Sequence, residues 1–107
     1  MSDTTVGVKY DQEKLRWDLL PIEEVEEVVK VLQCGARKYA DHNWKKVPDS
    51  KRRYFSAALR HIFAWWRGEQ MDPETGLHHL AHAMCCLLFA FWHDRNQNQL
   101  TDMGAKS

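Results

Sequence analysis

Apolar positions recur at helical intervals in three stretches of the chain, and no stretch shows the alternation of a convincing strand. Between Pro21 and about Ala40, Ile22, Val25, Val28, Val29, Leu32, Ala36 and Tyr39 share one face. This predicts a helix, with Pro21 suited to its first turn, where the missing N–H is not needed. Gly35 marks a bend, an early end or a close helix contact within it. A second helix is predicted from about Ser50 to Arg67, with Tyr54, Phe55, Ala58, Leu59, Ile62, Trp65 and Trp66 on its apolar face. The third, residues 76–94, is apolar nearly all round. The fold class is therefore all-α, a small bundle of three main helices. A helix that is apolar on every side must be enclosed on every side, which is hard with only two other helices in the chain. Completion of the bundle by oligomerisation, as a homodimer or larger, is expected.

The remaining segments lack a period. The opening residues up to Leu20 read as an ordered arm or loop, "DHNWKKVPDS" as a loop, and "GEQMDPETG" as the connection into the third helix. Residues 1–95 form one expected domain, and 96–107 a polar tail expected to be flexible. A length of 107 residues supports a single modest core.

The formal charge is zero, with acidic and basic residues interleaved, so no broad footprint for duplex nucleic acid is expected. "KVPDSKRR" is a local basic exception that reads as a solvated helix entry. The three cysteines, Cys34, Cys85 and Cys86, have neither zinc-knuckle nor disulfide-framework spacing, which suits a reducing cytoplasm. No signal peptide or apolar run of membrane length is visible, so a cytoplasmic protein without a membrane partner is expected.

Candidate chemistry lies where polar residues interrupt apolar faces. At about 100° per residue, His79, His82, Cys86 and His93 fall in one stripe of the third helix. Such a stripe is a metal site, the wall of a polar ligand pocket, or a set of core hydrogen-bonders. On the first helix, Glu23 and Glu26 point outward, and Glu26 can pair with Lys30. Glu24 projects inside the apolar arc and Glu27 at its border, so the pair can share a cation or sit in a satisfied ion pair. On the second helix, His61 interrupts a stripe of small residues, Ala57, Ala64 and Gly68. Small residues there allow close helix packing, or a phosphate or base pocket with Arg60 beside it. Glu24/Glu27 and His79/His82 have the i,i+3 form by which helical bundles hold metals, and Glu69 and Asp72 in the connection can reach the same place. Oxygen donors suit magnesium. Imidazoles favour manganese, zinc or iron.

The ordered motifs "KYDQEKLRWDLLP", "GARKYADHNW", "RHIFAWWRGE" and "DPETGLHHLAHA" together resemble the phage family of dATP/dGTP diphosphohydrolase N-terminal domains, akin to MazG-like all-α nucleotide pyrophosphohydrolases. The resemblance covers roughly residues 9–90. It implies a metal-dependent pyrophosphohydrolase of deoxynucleoside triphosphates, with Mg2+ or Mn2+ and possible use of Zn2+, working in the host cytoplasm on a small-molecule nucleotide. It implies Glu24 and Glu27 as catalytic acids, with His61 a further catalytic candidate. Metal candidates are Glu24, Glu27, Glu69, Asp72, His79 and His82. Lys14, Arg16, Lys38 and Arg60 would hold phosphates, and Tyr39, Asn43 and Trp44 would read or stack on the base. MazG-like enzymes carry a second acidic pair where this chain has His79 and His82. Three readings therefore stay open beside the enzyme: a phage protein that sequesters a nucleotide without cleaving it, an HD-type phosphohydrolase using His93 and Asp94, and a purely structural helical module.

Overall fold

The computed structural model describes residues 7–10 and 12–100, with side chains described through residue 96. Three helices dominate: α1 (Ile22–Lys38), α2 (Ser50–Trp66) and α3 (His79–Leu100). Short 3-10 turns at Trp17–Leu19 and Asn43–Lys46 lie before α1 and before α2. Among the described residues the β structure is limited to an isolated bridge between Met71 and His78.

The central element is α3, with α1 and α2 packed mainly on it rather than on each other. Against α1 it buries Ala81 and Cys85 with Val28 and Val31, and Leu32, Leu77 and Phe89 border that cluster. On α2 the buried residue is Ala58, and Ala83 of α3 is buried as well. Such small side chains let two helix backbones approach closely. The apolar face of α1 is therefore only partly used. Val28 and Val31 are buried, while Ile22 and Val29 remain exposed.

Local conformation moves two boundaries away from the sequence pattern. The third helix starts at His79 rather than residue 76, because Gly76 has a left-handed φ of 74° that a helix does not allow, and His78 is engaged in the bridge to Met71. At its other end α3 continues to Leu100, into the segment expected as a tail. Residues 1–6 of the expected arm, and the rest of the tail from residue 101, lie outside the described residues. The described part of the arm leaves Val8, Tyr10, Leu15, Trp17 and Leu19 exposed. No described helix is long and apolar enough to cross a membrane.

Candidate active site

Because α1 and α2 flank α3 without closing on each other, a groove of about 830 Å3 runs between them, within the usual range for small-molecule sites. His82, Cys86 and Phe89 of α3 form its floor. Gly35, Lys38 and Tyr39 line one wall, and Arg53, Ala57, Arg60 and His61 the other. Nothing lies within 4 Å of where a side chain on Gly35 would begin. The helix continues through this glycine to Lys38, and the space beside it stays open.

One end of the groove is built by the connection from α2 to α3. Asp72 N–H donates to Leu77 O at 2.8 Å, Gly76 N–H to Asp72 O at 2.7 Å, and His79 N–H to Gln70 O at 2.9 Å. This backbone ladder makes a tight turn that holds Asp72 beneath α3. The Asp72 carboxylate accepts from both the N–H (3.0 Å) and the hydroxyl (2.9 Å) of Thr75. That hydroxyl has one proton, so His82 Nε2, 2.7 Å from Thr75 Oγ1, must be the donor in their contact. His82 is thereby fixed as the Nε2–H tautomer. Its ring stacks on that of His61 at 4.5 Å between centroids.

A second chain of contacts starts from Glu69. Its Oε1 lies 2.8 Å from His79 Nε2, and His79 is buried. A carboxylate behind one imidazole nitrogen orients the ring and makes the other nitrogen the better ligand. That other nitrogen, Nδ1, faces His61 Nδ1 at 2.8 Å. Donor atoms of His61, Asp72 and His79 all lie within 4.8 Å of one another.

Burial pushes the His61 imidazole below its ordinary range, helped by the neighbouring His82 and His79. Burial also lowers His82, against the smaller opposing pull of Asp72. Both rings are therefore biased toward the neutral form, which binds cations and accepts protons. Burial acts to raise Asp72, but the two Thr75 hydrogen bonds and the nearby imidazoles hold it below the usual carboxylate range. The cysteines go the other way. Burial raises Cys85 to about 12 and Cys86 to about 11, so neither thiol is a nucleophile near neutrality.

The other end of the groove is aromatic and basic. Trp44 stacks on Phe89 at 4.4 Å and 13°, and His93 Nε2–H donates to Trp44 O at 2.9 Å. His93 is thus an anchor for the Trp44 turn. Lys38 reaches Glu74 at 3.3 Å, whereas Arg53 and Arg60 make no ion pair among the described residues.

The candidates taken from the sequence thus separate. Lys38, Tyr39, Asn43, Trp44, Arg60, His61, Asp72 and His82 line the groove, and Glu69 and His79 adjoin it through His61. The structure does not bring Glu24, Glu27, Lys14 or Arg16 to it. Glu24 is exposed, and Glu27 pairs with Lys30 at 2.7 Å, taking the lysine that the i,i+4 spacing offers to Glu26. Arg16 pairs with Asp18 at the surface. Sequence reasoning missed Thr75 and Arg53. A hydroxyl three residues after an aspartate in "DPET" is the signal of a side-chain-capped turn, and it pointed to Thr75.

A helical domain with a nucleotide-sized groove, basic on its walls and closed at one end by imidazoles and carboxylates, is the class that this architecture defines. Residues 4–103 match the family described as dATP/dGTP diphosphohydrolase, N-terminal, and the chain belongs to that family. It is also 40% identical over 86 residues to a protein of Salmonella phage PMBT28 named dATP/dGTP diphosphohydrolase. The match covers 80% of this chain and 29% of that relative, so the chain spans less than a third of its length. No solved structure matches it.

Proposed function

We propose that this domain is a metal-dependent diphosphohydrolase of deoxynucleoside triphosphates of the dATP and dGTP kind, giving a monophosphate and pyrophosphate in the host cytoplasm. The observation that carries the reading is the convergence of His61, Asp72 and His79 at one end of a groove whose walls carry Arg53, Arg60 and Lys38. The donor set suits a cation: two imidazoles and a carboxylate, with Glu69 already orienting His79. Two nitrogen donors favour manganese or zinc over magnesium. His61, Asp72 and His79 would hold the ion, which when bound neutralises phosphate charge and acidifies water.

The protein's own groups account for the rest. Arg53, Arg60 and Lys38 hold the polyphosphate, and Tyr39 with the Trp44 turn receives the base. His82 is the proton acceptor. Its Nε2–H is tied to Thr75, which leaves Nδ1 with a lone pair, and burial biases the ring toward the neutral form. Water attacks the α-phosphorus, its proton passes to His82 Nδ1, and the bond from the α-phosphorus to the bridging oxygen breaks to release pyrophosphate. In this assignment His61 is a ligand, and Glu24 and Glu27 have no part.

The test is incubation with dATP, dGTP and the other deoxynucleoside triphosphates, with magnesium, manganese, zinc or chelator, and mass spectrometry of the products. Monophosphate and pyrophosphate that disappear with chelator are expected. Inorganic triphosphate as the product, or intact nucleotide retained under every metal, would overturn the reading.

A further inference from the structure

The helix α3 has a face that neither of its neighbours covers. On a projection at about 100° per residue, Ala81 and Cys85 point toward α1, His79 and Ala83 toward α2, and His82, Cys86 and His93 into the groove between them. The remaining side, roughly opposite the groove, carries Met84, Leu87, Leu88 and Phe91. These four are spaced 3, 1 and 3 residues apart, and all are exposed. No charged residue interrupts them, and Asp94 and Arg95 follow beyond their end. Phe55 of α2 shares a shallow cleft with Leu87 and Phe91, rimmed by the charged Asp49, Lys51, Arg52 and Asp94, so the apolar surface reaches α2 within a charged border. Three turns further along the same side of α2 stands Trp66.

The six side chains Phe55, Trp66, Met84, Leu87, Leu88 and Phe91 are between 43% and 77% exposed. At about 200 Å2 for a large side chain they present roughly 700 Å2, close to the ~800 Å2 per partner of a standard specific interface. Without Trp66 the other five present roughly 500 Å2, a size at which an exposed apolar patch is often functional.

The geometry points to a second copy of this chain as the occupant, docked α3 to α3 through a two-fold axis near Leu87 and Leu88. An antiparallel pair about that axis sets Met84 of each copy opposite Phe91 of the other and carries the charged residues 94 and 95 past the end of the apolar stripe. The patch is then self-complementary, as a closed dimer requires. Each α2–α3 hairpin contributes half of a four-helix bundle, and the two grooves face outward on opposite sides. This inference does not depend on the proposed chemistry.

Sedimentation of the 107-residue chain at micromolar concentration tests it. The expected mass is twice the 12.6 kDa of the chain, falling to the single-chain value in Leu88→Glu and in Phe91→Glu. Val29→Glu, at an exposed apolar position of α1, leaves the dimer intact. Because a glutamate variant can fail to fold, Leu88→Cys gives an independent reading. Under mild oxidation it forms an inter-chain disulfide, and Trp17→Cys does not. A wild-type monomer, or a dimer that survives both glutamates and gives no selective cross-link at residue 88, overturns the proposal.

Discussion

Glu24 with Glu27 on α1 and Glu69 with Asp72 in the α2–α3 connection are alike in chemistry and in spacing, yet only the second pair is tied to imidazoles. The α1 pair sits on a helix whose packing is confined to the stretch around Val28 and Val31, so one carboxylate stays in water and the other meets Lys30. The pair in the connection sits on a turn closed by its own backbone hydrogen bonds, which sets Asp72 against Thr75 and His82, and Glu69 against His79. A surface carboxylate with a flexible lysine partner contributes little. A carboxylate pinned by a turn beside imidazoles is held in one orientation.

The largest expected effect that tests this contrast is at Asp72. Asp72→Asn removes the charge from the donor set while keeping the side-chain shape, so metal affinity by calorimetry and turnover of the deoxynucleotide should each fall more than about 100-fold. A variant that binds metal and turns over normally would remove Asp72 from the site.

Thr75→Val is expected to come next. It deletes the hydroxyl that joins Asp72 to His82 at nearly constant volume, so both lose their orientation without leaving the site. Turnover should drop about 10-fold, as for other groups that orient a metal ligand. Thr75→Ser, which keeps the hydroxyl and loses only the methyl group, should retain most of the activity.

A smaller effect is expected from pH on the stability of the metal-free protein. Both His61 and His82 are lowered from the free value of 6.5, chiefly by burial. Between 6.5 and the folded values the unfolded chain takes up protons that the folded chain resists, so unfolding gains as pH falls. Stability from these groups is fully present above 6.5 and declines below it. Urea midpoints at about pH 7.5 and about pH 5.5 should therefore differ, and His82→Gln should reduce the difference. Equal midpoints in the wild type would show that neither ring resists protonation.

Sequence pattern was enough to place all three helices and the all-α class, because α1 and α2 repeat their apolar residues over several turns and α3 is a long apolar run marked by a histidine stripe at helical spacing. It also placed His61, His79 and His82 on faces where polar groups are conspicuous. It could not separate the two carboxylate pairs. Projection puts Glu24 between Val28 and Val31, but whether that part of α1 is covered depends on where α3 crosses it, a long-range property that no local pattern encodes. The turn from Gly68 to Gly76 has no period, so the network joining Asp72, Thr75 and His82 was legible only as a set of residues that could meet. His93, read as a member of the polar stripe, proves to support Trp44 through a backbone carbonyl, a contact between residues 49 apart in the sequence.

The smallest expected effect completes the contrast between the pairs. Glu24 is exposed and lines no part of the groove, and Glu27 holds an exposed i,i+3 pair with Lys30, of the solvent-screened kind that adds little to stability. Glu24→Gln and Glu27→Gln should therefore leave metal affinity unchanged and turnover within about twofold, a change too small to count against ~1.4 kcal/mol per tenfold in rate. In urea, Glu27→Gln should cost no more than the lost pair, and Glu24→Gln less. If either substitution instead abolished turnover while Asp72→Asn did not, the cation would belong on α1, and the groove end at Asp72 would be a structural network that only resembles a site.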